Sequence, residues 1–171
     1  MNSRKSLNLT WSLILFFFTA NASAAELTYP KYTEQKVVYE FYFDHPQKIA
    51  TALFWLKSHI ITLTDEPYGF AIDDLDIKIV IHGTELVTLA KNNYAKYTDI
   101  VERMRYYSEL GIDFRACASA AHDFGYQAED LQDFVNLVPS AIVDLAHWQL
   151  LGYAIIIPKV TDKKFSTEEL R

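Results

Sequence analysis

Ile77-Lys78-Ile79-Val80-Ile81-His82-Gly83 is a nearly unbroken run of β-branched residues closed by a polar pair. Such a run, apolar on both faces, reads as a buried strand of a parallel sheet. Upstream, Val37 to Asp44 reads Val-Val-Tyr-Glu-Phe-Tyr-Phe-Asp, a second strand rich in aromatic and β-branched residues. Its alternating Tyr39, Phe41 and Phe43 are read as sheet packing. Between the two strands, Asp44 is expected to cap a helix with Pro46 in its first turn, because Ile49, Leu53, Leu56 and Ile60 recur at helical spacing. Pro67, Gly69, Asp73 and Asp74 then mark a surface loop.

Downstream, Tyr97, Ile100, Val101, Met104 and Tyr107 predict a helix over Tyr94 to Leu110, with Asp99 and Arg103 paired on its outer face and Gly111 ending it. A third strand over Ile112 to Ala116 precedes Cys117 and a turn of small residues, Ala118 to Ala121. A short strand near Phe134 to Val138 leads to Pro139 and to Ser140, which is positioned to cap a helix carrying Ile142, Val143, Leu145, Ala146 and Leu150. Gly152 closes that helix and Tyr153 to Ile157 forms a last strand. Apolar strands alternating with helices predict a single three-layer α/β domain: a mostly parallel sheet with helices on both faces, in a doubly wound layout.

The ends of the chain carry different signals. Arg4 and Lys5 precede an apolar run from Trp11 to Ala20, and Asn21-Ala22-Ser23-Ala24-Ala25 fits a small-residue cleavage site. The run is short for a bilayer span and lacks basic stop-transfer residues, so residues 1–24 read as a cleavable export signal rather than an anchor. The mature protein is then expected to be periplasmic or secreted, in a bacterial setting, with no stable membrane insertion. Residues 25–36 read as a lead-in, 37–158 as the domain and 159–171 as a charged tail. The signal removes two of the 16 basic residues and none of the 22 acidic ones, leaving 14 against 22, a net charge of −8. Nucleic acid is therefore not an expected partner.

In a doubly wound sheet the functional crevice lies beyond the carboxyl ends of the strands. Three segments fall there: Asp44-His45, His82-Gly83-Thr84-Glu85 and Cys117-Ala118-Ser119. Cys117 is the single cysteine, so it has no internal disulfide partner. At a strand-to-helix turn its thiolate can be stabilised by backbone N–H groups and serve as a nucleophile. The same position suits a buried cysteine filling a small gap, and the two readings stand level on position alone. His122 and His82 are the histidines that could face the sulfur. No metal or cofactor is expected: Cys117, His82 and His122 lack zinc-ligand spacing, and Asp73, Asp74 and Asp76 lack the glycine and distal glutamate of a calcium loop. No phosphate loop, dinucleotide fingerprint, hydrolase elbow or metalloprotease motif occurs.

Taken together, the Ile77–Gly83 segment, the helix to Gly111, Ile112-Asp113-Phe114-Arg115-Ala116-Cys117, then Val138-Pro139-Ser140 and Gly152-Tyr153-Ala154 resemble the DsrE/DsrF-like family over roughly Val37 to Pro158. The resemblance implies a small α/β protein that associates into homo-oligomers, trimers or hexamers. It also implies a cysteine that carries sulfane sulfur as a persulfide between a donor and an acceptor protein, and Cys117 matches that position. No basic residue follows Cys117 over Ala118 to Gly125, which leaves His122 to support the sulfur anion. Three functions follow: a sulfur carrier, with Cys117 as sulfur acceptor, His122 as thiolate support and His82 in the crevice; a non-enzymatic oligomeric binding or accessory subunit with a structural cysteine; or a small-molecule or metal site at His82, Cys117 and His122.

Overall fold

The computed structural model describes residues 24–32 and 34–171; the export signal read over residues 1–24 falls, but for Ala24, outside them. Residues 24–30 contain neither helix nor strand, and Lys31–Arg171 form the folded unit. Its elements are β1 (Gln35–Phe41), α1 (Ile49–Thr64), β2 (Leu75–Ile81), α2 (Tyr94–Glu109), β3 (Asp113–Cys117), α3 (Ala118–Asp123), β4 (Val135–Val138), α4 (Ala141–Leu150) and β5 (Ala154–Ile156). The five strands form one sheet in the order β4-β3-β2-β1-β5, every pair parallel. Parallel neighbours need a crossover between them, and the helices supply it.

Residue alternation along the strands decides what each face buries. Tyr39, Phe41, Ile77, Ile79, Ile81 and Phe114 face α1 and α2, where Leu53, Leu56, Val101 and Met104 complete a core without solvent exposure above a few per cent. Each such side chain contributes roughly 1.5–3 kcal/mol on burial. The aromatic alternation of β1 is packing, with Tyr39 edge-on to Phe41 and Phe41 tilted against Phe43. The opposite face is thinner: Val38, Val80 and Cys117 meet Ala141 and Leu145 of α4, with Tyr153 closing the end. The chain crosses from β4 at one edge to β5 at the other through α4, so that helix spans this face.

Several local expectations are corrected. Asp44 does not cap the helix after β1. A 3-10 turn, Pro46–Lys48, intervenes; its cap is His45, whose Nδ1 accepts the Gln47 N–H, while Asp44 pairs with Lys48 at 2.7 Å. The strand expected to Asp44 ends at Phe41, because the Phe43 N–H leaves the ladder for the carboxylate of Glu85. Among the described residues Asp99 and Arg103 form no ion pair; Arg103 instead donates to the Ala50 carbonyl. Ser140 holds the N-cap position of α4 with extended φ and ψ, but its side chain makes no capping bond. Cys117, expected just past its strand, is the last residue of β3.

Candidate functional site

All five strands point the same way, so the three segments singled out in the sequence lie at one end of the sheet. They do not converge into one cluster. Among the described residues no three His, Cys, Asp or Glu side chains are arranged to hold a metal ion.

The first cluster is built on β1 and β2. The Nε2 atom of His82 is 3.0 Å from Glu40 Oε1, and its ring stacks on Tyr42 with centroids 4.8 Å apart. This pair borders a cleft of about 310 Å³ lined by Tyr42, Asp44, Thr84, Ala120, Asp123 and Phe124. Below it, Glu85 is fully buried in the short 3-10 segment Thr84–Leu89. Its Oε1 accepts the Gly83 N–H at 2.8 Å and its Oε2 the Phe43 N–H at 2.9 Å. Burial pushes the Glu85 carboxyl up to about 7, although these backbone amides oppose the shift. The carboxylate thus closes the gap that opens where β1 and β2 stop pairing.

The second cluster is built on β3 and β4. Cys117 is 6% exposed, and its Sγ accepts the Ala141 N–H at 3.3 Å. The donor belongs to the first turn of α4, not to the turn that follows the cysteine. Ser119 Oγ donates to the Pro139 carbonyl at 3.1 Å and ties the start of α3 to the loop before α4. The two loops then part: Ala121 of α3 enters the core shared with α1 and α2, whereas α4 packs on the other face. Adjacent strands whose connections leave on opposite faces create the crevice where ligands of parallel sheets bind. Cys117 sits at that point, registered opposite Val138 of β4.

His82 is therefore committed to Glu40 and lines the first cluster, while His122 is exposed on α3 and makes no hydrogen bond to the sulfur. Asp73 and Asp74 stand exposed in a 3-10 turn that leads into β2, and Asp76 pairs with Lys78 and accepts the Tyr153 hydroxyl. Glu40 and Arg115 were not singled out in the sequence. Each is a charged residue flanked by apolar ones in the interior of a strand, a signal that could have marked both. Glu85 stood in the crevice segment His82–Glu85, but nothing in Thr-Glu-Leu-Val-Thr-Leu signalled its burial.

Cys117 is the last residue of the third parallel strand and lies beneath the helix that follows Val138-Pro139-Ser140. The family model for the DsrE/DsrF-like family matches residues 37–158. The chain belongs to this family. Its fold is similar to that of a protein of unknown function from Methanobacterium thermoautotrophicum, at TM-score 0.58 and 18% identity over 73% of this chain and 100% of that one. It is also similar to a conserved protein of unknown function from Bacteroides thetaiotaomicron, at TM-score 0.51 and 15% identity over 72% of this chain and 95% of that one. No curated protein matches this DsrE-like chain by sequence. No helix among its described residues is long and apolar enough to cross a membrane.

Proposed function

We propose that this DsrE-like protein is a sulfur carrier that works outside the cytoplasm and holds sulfane sulfur on Cys117. The observation that carries the reading is the seat of the sulfur: in a chain of this family, the single thiol lies at the divergence of α3 and α4 with a backbone N–H directed at it. In the proposed transfer, the Cys117 thiolate attacks the terminal sulfur of a donor persulfide, R–S–SH. The donor S–S bond breaks, a new S–S bond forms on Cys117, and R–S⁻ leaves and takes up a proton. Delivery is the same exchange in reverse: an acceptor thiolate takes the outer sulfur and Cys117 returns to the thiolate. No external oxidant or reductant enters. The donor and acceptor are proteins bearing thiols, and His122, exposed one helix turn beyond the site, is the residue available to approach the incoming sulfur anion.

Association into a trimer or hexamer belongs to the same reading. It is supported by the uncharged outer side of α4, where Ile142, Val143 and Leu150 are 65%, 69% and 87% exposed. Export is supported by the charged start, apolar run and small-residue site of residues 1–25.

A second reading, an oligomeric accessory subunit in which Cys117 is packing, is favoured by the burial of that residue. Sulfur loading separates the two. After treatment with polysulfide, the sulfur-carrier reading expects cyanide-labile sulfur on the native protein and none on Cys117→Ala. Absence of label on the native protein favours the accessory subunit.

A further inference from the structure

The helix that covers Cys117 is fastened differently from the rest of the domain. On the α1 and α2 face, long apolar side chains interlock. On the α4 face, the helix contributes only two buried apolar residues, Ala141 and Leu145, and turns Ile142, Val143 and Leu150 to solvent. What holds it down is polar. Arg115 of β3 grips Asp144 of α4 with two parallel bonds, Nε to Oδ2 at 2.7 Å and Nη2 to Oδ1 at 2.8 Å. The same guanidinium donates to Asp113 at 2.9 Å. Trp148, one turn further along α4, donates Nε1–H to Asp144 Oδ2 at 3.2 Å and lies against both Arg115 and Lys78, whose cationic groups are 5.1 and 4.9 Å from its ring.

Asp144 is 8% exposed and the Arg115 side chain 18%, so the pair is largely out of water. A fork-to-carboxylate pair in that setting is geometrically exacting, and removing one partner leaves the other desolvated. Asp144 is also three residues from Ala141, on the same inward side of α4, and Ala141 is the residue whose N–H rests on the sulfur. Fixing Asp144 on β3 therefore fixes Ala141 over the last residue of that strand.

We propose that Arg115 and Asp144 are positioning residues that latch the first turn of α4 over Cys117, so that the sulfur is reached by undocking of α4 and not by unfolding of the domain. The inference rests on the reading that Cys117 handles sulfur, and it makes access to the thiol separable from its chemistry. A carrier latched in this way keeps its thiol covered until α4 lifts.

The test is the rate at which a maleimide labels Cys117 in the full mature protein under native conditions, compared with global stability measured in urea. Asp144→Asn removes the charge while keeping the side-chain shape. Leu53→Ala, in the opposite core, lowers global stability without touching α4. The latch predicts that Asp144→Asn speeds labelling at least tenfold and that Leu53→Ala leaves the rate within twofold of the native protein. Equal acceleration by both variants, in proportion to lost stability, would overturn it, as would no acceleration by Asp144→Asn. Because maleimide labelling needs a reachable thiolate but no sulfur donor or acceptor, a protein that takes up no sulfur yet shows the predicted rates would retain the latch and lose the sulfur-carrier reading.

Discussion

Gly83 and Glu85 are fitted so closely that a Cβ built on Gly83 would stand 2.5 Å from Glu85 Oε2. The same atom would meet the Phe43 backbone, its nitrogen at 2.5 Å and its carbonyl oxygen at 2.8 Å. Backbone on one side and a buried carboxylate on the other leave nothing flexible to yield. Gly83→Ala is expected to destabilise the domain by about 3 kcal/mol, the upper part of the usual range for overpacking. Urea unfolding checks this, and a loss below about 1 kcal/mol would show that the two strand ends can part without cost.

The buried carboxyl of Glu85 predicts a pH dependence. Its folded-state value is raised from 4.5 to about 7, so the folded chain holds the proton more tightly than the unfolded chain does. The stability it contributes is fully present below about pH 4.5, declines as pH rises, and is lost by about pH 7, a change on the order of 3 kcal/mol. Glu85→Gln does not titrate and cannot accept both backbone N–H groups. Its disadvantage relative to the native protein should be largest near pH 5 and shrink toward pH 8. Stability curves at several pH values for the two proteins give the difference directly, and a constant gap would remove Glu85 as its source.

How much of this was readable beforehand depends on the range of the interaction. The strands were legible as apolar runs, and the ends of α2 and α4 as Gly111 and Gly152, whose φ angles of 91° and 88° suit glycine. Those are local signals. The position of Cys117 at a strand end was legible for the same reason. Its hydrogen-bond donor was not, because Ala141 lies 24 residues away and is brought there by β4 joining the sheet. The capping errors are separate: Asp44 has the right side chain but pairs with Lys48, and Ser140 holds the cap position of α4 without a capping bond, which nothing in the structure explains. Glu85 looked like a loop residue because the partner that draws it inward, the Phe43 amide, is 42 residues earlier.

The two readings of Cys117 predict similar stabilities but different chemistry. Cys117→Ser keeps an acceptor for the Ala141 N–H and should cost less than about 1 kcal/mol, whereas Cys117→Ala leaves that N–H without its partner and should cost about 1–2 kcal/mol. Urea midpoints for the pair measure the value of the sulfur as an acceptor. Equal midpoints would mean that the 3.3 Å contact contributes nothing.

Export makes a prediction about the chain end. Expressed in full in a bacterium with a periplasm, the protein should appear in the osmotic-shock fraction with Ala25 as its first residue, as read by N-terminal sequencing. An intact Met1 in the cytosolic fraction would contradict it.

The central claim is that Cys117 carries sulfur, and intact mass spectrometry tests it most directly. The mature protein is weighed before polysulfide, after it, and again after a reductant, alongside Cys117→Ala. The account predicts a gain of one sulfur that the reductant reverses and the variant never shows. No gain on the folded protein, with modification of Cys117 only after denaturation, would contradict it and leave the cysteine as packing beneath α4.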